Sequence, residues 1–77
     1  MIDINSFIVN FSKQFEGVLG EYITPETRFW DLEEWSSLIV LKVLGMIDIE
    51  YDVDIDADEI RTITTIQELY DLVQSRA

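Results

Sequence analysis

Apolar residues recur at helical spacing in three stretches of the chain, and an aperiodic stretch separates the first two. Ile4, Ile8, Phe11, Phe15 and Val18 or Leu19 stand three or four apart, which predicts an amphipathic helix from about Asp3 to Leu19. Asp3 is placed to cap its first turn, and Gly17 or Gly20 to end it. From Glu21 to Trp35 no period holds, and the segment carries the only proline, Pro25, so it predicts a long connecting loop. That loop also contains Tyr22, Ile23, Phe29, Trp30, Leu32 and Trp35. Part of it must therefore lie on the core, with Trp30 and Trp35 as its anchors.

The second helix begins at Ser36 and Ser37, both natural N-cap residues, and is predicted to end near Asp52. Leu38, Leu41, Leu44, Ile47 and Tyr51 give it one inward stripe. Gly45 within it disfavours helix, which points to close packing or close approach at that position. Val53 and Ile55 then alternate with Asp52, Asp54 and Asp56 in a short extended stretch. Ala57 to Arg61 suits one short helical turn. Thr65-Ile66-Gln67-Glu68 matches a capping box and opens a last helix, with Ile66, Leu69, Tyr70 and Val73 inward. The pattern adds up to an all-α fold: a four-helix bundle of three main helices and a short one, with a long first loop.

Composition narrows the function. The 77 residues suit one small domain, and 48% hydrophobic content separates the chain from disordered sequences despite a net charge of −11. A surface this acidic repels phosphate backbones and anionic lipid, so neither nucleic acid nor membrane is expected as a partner. No run of about 20 apolar residues is present and no basic leader precedes the first acids, which predicts a soluble, cytoplasmic chain, and a monomer is expected. Cys and His are both absent. Thiolate, Ser-His and Cys-His nucleophilic sites and Cys- or His-ligated metals are thereby excluded, and a self-contained enzyme is not expected.

The acids gather late: Asp48, Glu50, Asp52, Asp54, Asp56, Asp58 and Glu59 contain no intervening base. A calcium loop started at Asp48 places Glu59 at the twelfth position but Val53 at the sixth, where the turn demands Gly. The run reads as a solvated acidic face, and no metal site is assigned.

Around Trp35-Ser36-Ser37-Leu38 the chain resembles the acyl carrier proteins, the phosphopantetheine-binding carriers. In that family the attachment serine lies in an Asp-Ser-Leu triplet at the start of the second helix. The likeness continues through Ile23-Thr24, Phe29, Tyr51, Ile55 and the run Ile63-Thr64-Thr65-Ile66-Gln67, and it covers nearly the whole chain. It implies an acyl-carrier-like bundle in which Ser37 carries 4′-phosphopantetheine, installed from coenzyme A with Mg²⁺ by a phosphopantetheinyl transferase. The arm's thiol would hold an acyl or aminoacyl group as a thioester, and the further partners would be the enzymes that load and process it. A short acyl chain would shelter among residues facing Leu41, Leu44, Ile47 and Leu69.

The chain departs from the family at three places. Ser36 stands where the family has Asp, which bears on compatibility with any given transferase. Glu33-Glu34 replace a usual Leu-Gly pair. Along the second helix Ile39, Val40, Lys42 and Met46 occupy positions where acids are common. Off the expected core stripe, Ile39, Val40, Met46 and Ile49 predict an apolar docking patch beside the arm, which together with Trp35, Ser36 and Leu38 would contact partners; the alternative is that the loop containing Trp30 and Trp35 covers it. This leans away from housekeeping fatty-acid synthesis and toward a dedicated biosynthetic pathway. The rival readings are a non-covalent acidic adaptor that uses Trp35, Ile39 and Val40, and a divalent-cation-binding regulator built on the acidic run.

Overall fold

The computed structural model describes residues 2–15, 23–33 and 35–77. Four α-helices follow in order: α1 (Ile4–Ser12), α2 (Ser37–Tyr51), α3 (Ala57–Ile60) and α4 (Ile66–Arg76). A 3₁₀ turn, Phe29–Asp31, lies in the loop between α1 and α2, and no strand occurs among the described residues. The fold is all-helical, as the periodicity predicts.

α1 starts as expected, with the Asp3 carboxylate accepting from the Ser6 N–H at 3.2 Å. It stops at Ser12, well short of Leu19, and Phe15 sits in the bend that follows. Gln14 and Phe15 donate to Phe11 and Ser12, three residues back, while the Gln14 side chain takes the Asn10 carbonyl at 3.0 Å. Such tightened turns commonly close a helix. Val18, Leu19 and the expected stops at Gly17 and Gly20 lie outside the described residues.

The loop from Ile23 to Glu33 is tied to the start of α4. The first N–H groups of a helix lack intrahelical acceptors. Here Ile66 donates to the Thr27 carbonyl at 3.1 Å and Gln67 to the Pro25 carbonyl at 2.8 Å. The Thr65 hydroxyl takes the Glu68 N–H, and Glu68 returns a carboxylate to the Thr65 N–H at 3.0 Å, which completes the capping box. Trp30 adds a bond from its indole N–H to the Ile63 carbonyl at 2.8 Å. An apolar loop thus finds its backbone partners on the neighbouring helix.

One hydrophobic cluster joins all four helices. Phe7, Phe11, Phe29, Ile47, Ile60, Ile66, Leu69, Val43 and Val73 are fully buried in it. α1 packs on α2 and α4, and α2 on α3. Phe7, absent from the expected α1 stripe, lies against the rings of Tyr51 and Tyr70 at 5.6 and 5.8 Å. Val53 and Ile55 are buried while Asp52, Asp54 and Asp56 face water, as their alternation predicts.

The buried face of α2 corrects the sequence reading. Ile39, Val40, Val43, Met46 and Ile47 point inward, whereas Leu38 and Leu41 are 62% and 65% exposed and Ile49 is 80% exposed. Leu44 and Tyr51 are only partly buried. α2 is apolar on nearly every side, so either stripe satisfies helical spacing. The aromatic cluster of α1 and the loop selects the face that buries β-branched and Met side chains. Gly45 is no close-packing point either: a Cβ there would meet nothing within 4 Å.

Candidate functional site: the start of α2 and its groove

Ser36 and Ser37 are both exposed, but the backbone gives them different work. Ser36 has extended dihedrals, and its hydroxyl accepts from the Ile39 N–H at 3.3 Å, so it is the N-cap. Ser37 is the first helical residue, and its side chain is not used as the cap. The N–H groups of Ser37 and Leu38 have no acceptor within the helix, and no acid occupies the first turn. This end of α2 accordingly favours an anion.

Beside Ser37 lies a groove of about 460 Å³. Trp30, Trp35 and Leu41 form its apolar walls, and Ala57 and Arg61 line its α3 side. Trp35 packs into a ring cluster, 4.8 Å from Phe29, 5.4 Å from Trp30 and nearly parallel to Phe11 at 6.0 Å. Its indole N–H is buried without a hydrogen-bond partner among the described residues. Trp30 stays 39% exposed and forms the outer lip. These two tryptophans are the only ones in the chain, and both line the groove.

The residues singled out from the sequence separate into two sets. Trp35, Ser36, Ser37 and Leu38 meet at the helix start, with Leu38 exposed as a docking residue requires. Ile39, Val40 and Met46 do not form an exposed patch: each is at most 9% exposed and belongs to the core. The accessible apolar surface of α2 is Leu38, Leu41 and Ile49 instead. Leu41, Leu44, Ile47 and Leu69 do not share one environment: Leu41 faces water while Ile47 and Leu69 are fully buried. Lys42, Gly45 and Asp48 mark the outer side of α2, and the residues opposite them are the ones the fold buries. That polar signal identifies the correct face where apolar spacing does not.

The acidic stretch finds its cation far along the chain. Arg76, in the last turn of α4, pairs with Glu59 and donates to the Asp54 carbonyl at 3.2 Å. The Arg76 hydrogen bond holds the Glu59 carboxyl below its ordinary range, aided by the Asp56 N–H. Backbone N–H groups of Thr65 and Thr64 do the same for Glu68. Among the described residues no three acids come together as a metal site. No described helix is long and apolar enough to cross a membrane.

The chain matches no protein-family model, and no curated protein matches it significantly.

Proposed function

We propose that this protein is a carrier that tethers acyl or aminoacyl intermediates through 4′-phosphopantetheine on Ser37. The observation that carries this reading is the division of labour at the start of α2, where Ser36 caps the helix and the exposed Ser37 hydroxyl has no hydrogen-bond partner among the described residues. The residues present suit the group: the N–H groups of Ser37 and Leu38 have no acceptor among the described residues and would receive a phosphodiester, and the adjoining groove offers apolar walls.

In the modification, the Ser37 oxygen attacks the coenzyme A pyrophosphate at the phosphorus nearer the pantetheine. A P–O bond forms to serine, the pyrophosphate P–O bond breaks, and adenosine 3′,5′-bisphosphate leaves. The serine proton passes to a base on the transferase. Once bound, the arm supplies a terminal thiol for thioester chemistry, which explains how a chain without Cys can serve an acyl pathway. The protein itself contributes tethering, which raises the local concentration of a bound intermediate at successive enzymes.

Loading and processing enzymes dock on this reading against Leu38, Leu41 and Ile49, the exposed apolar residues of the same helix. Apolar contact makes such docking less sensitive to salt than a charge-steered pair. Leu41→Ala weakens it and Ile39→Ala does not act at the contact, since Ile39 is inside.

Intact mass tests the proposal. Incubated with coenzyme A, Mg²⁺ and several phosphopantetheinyl transferases, the protein gains one phosphopantetheine adduct; Ser36→Ala keeps it and Ser37→Ala loses it. An adduct on no variant with any transferase, or one that survives Ser37→Ala, overturns the assignment. A folded protein that takes no adduct but still binds partners through Leu38 and Leu41 is the non-covalent adaptor.

A further inference from the structure

The five cations of this chain are distributed unevenly. Arg28 pairs with Asp31 on the loop and Arg76 with Glu59 at the end of α4. Both lysines, Lys13 and Lys42, line a separate depression of about 390 Å³ between α1 and α2. Arg61 alone lines the groove that contains Ser37. Its one ion pair among the described residues is with Asp58, three residues earlier at 3.6 Å, with the two side chains 70% and 93% exposed. Such exposed neighbours bind each other weakly, so the guanidinium is available to a stronger anion.

We propose that Arg61 is the anion-holding residue of this groove: a chain anchored at Ser37 lies against Trp30, Trp35 and Leu41 and sets a negatively charged oxygen group on the Arg61 guanidinium. In a chain of net charge −11, an added anion is repelled everywhere except beside a cation or a helix N-terminus. The groove supplies the helix start at Ser37 and the cation at Arg61, with apolar side chains between them. A guanidinium recognises carboxylate or phosphate through two parallel N–H donors, so the occupant carries one of these groups. It is either the phosphodiester at the root of the arm or a carboxylate at the tip of the cargo. The inference rests on the carrier reading for its occupant but not for its test.

The absence of Cys allows that test without any transferase. Ser37→Cys creates a single thiol, which is alkylated with iodoacetate or its neutral counterpart iodoacetamide to place a charge at the root. Maleimidohexanoic acid or its amide places the charge at the tip. The expected result is that one acid adduct melts about 2–4 °C above its neutral partner, against the general repulsion, and shifts the Trp30 and Trp35 fluorescence. Arg61→Gln removes most of that difference and leaves only what the helix start supplies, Arg61→Lys keeps a larger part, and Arg28→Gln, outside the groove, leaves it intact. Which pair responds tells root from tip. If neither acid differs from its neutral partner, or if the difference is undiminished in Arg61→Gln, Arg61 does not hold the anion. Failure of transferase labelling with success here removes the carrier reading alone; the converse removes Arg61 alone.

Discussion

The Ser36 hydroxyl accepts the Ile39 N–H at 3.3 Å, and this one bond gives two adjacent serines opposite roles. Ser36→Ala removes an N-cap and is expected to cost about 1 kcal/mol, or roughly 4–8 °C in Tm. Ser37→Ala replaces an exposed residue in the first turn with the best helix former and should leave stability unchanged or slightly higher. Thermal denaturation of the two variants, set beside their intact masses after transferase treatment, separates the capping serine from the one proposed for modification.

Gly45 lies in α2 with open space around its Cα. Gly45→Ala therefore gains helix propensity without a clash and is expected to stabilise the protein by about 1 kcal/mol. Urea unfolding reads this directly. A loss of stability would mean that a neighbouring group approaches Gly45 more closely than the structure shows.

Asp52 ends α2 in the left-handed region, at φ 55° and ψ 41°, with its N–H on the Asp48 carbonyl at 3.0 Å. Glycine adopts this conformation without strain, and its introduction also removes a carboxylate from the negative end of a helix. Asp52→Gly should stabilise by about 1 kcal/mol, whereas the β-branched Asp52→Val should destabilise by at least as much. Equal stabilities for the two would contradict the left-handed C-cap.

The depressed carboxyl of Glu68 predicts an acid dependence. Its folded-state pKa lies below the ordinary value of 4.5 because the Thr65 and Thr64 N–H groups favour the charged form. Its contribution is thus complete above that value and disappears as pH falls through the lower, folded one. The Tm gap between the native protein and Glu68→Gln should be constant from pH 7 to about 5 and close below about 4.5. Glu59→Gln should behave likewise, since Arg76 holds that carboxyl down as well. A gap that does not narrow at all as pH falls below 4.5 would show that charge plays no part at either carboxylate.

Self-repulsion among 16 acids and 5 bases should respond to ions. Millimolar Mg²⁺ or moderate NaCl is expected to raise Tm, through screening of the exposed Asp48, Asp52, Asp54 and Asp58. Calorimetry at increasing NaCl checks this; an unchanged Tm would mean these acids are too far apart to interact.

Local rules were sufficient for much of the architecture. Asp3, Ser36 and Thr65 cap helices because short polar side chains bond nearby N–H groups, whatever the rest of the chain does. Val53 and Ile55 alternate with aspartates, which leaves one arrangement with the acids in water. The existence of a hydroxyl-bearing helix start at residues 36 and 37 was legible for the same reason.

Tertiary packing decided the rest. On α2, apolar spacing alone fits either Leu38 and Leu41 or Ile39 and Val40 inside, and only Lys42, Gly45 and Asp48 hint at the outer face. Burial in one cluster with Phe7, Phe11 and Phe29 put Ile39 and Val40 inside and left Leu38 and Leu41 exposed. Arg61 and Ser37 are 24 residues apart, and only the return of the chain through α3 brings them to one groove. Arg76 reaches Glu59 in the same way, across a separation that no local pattern encodes.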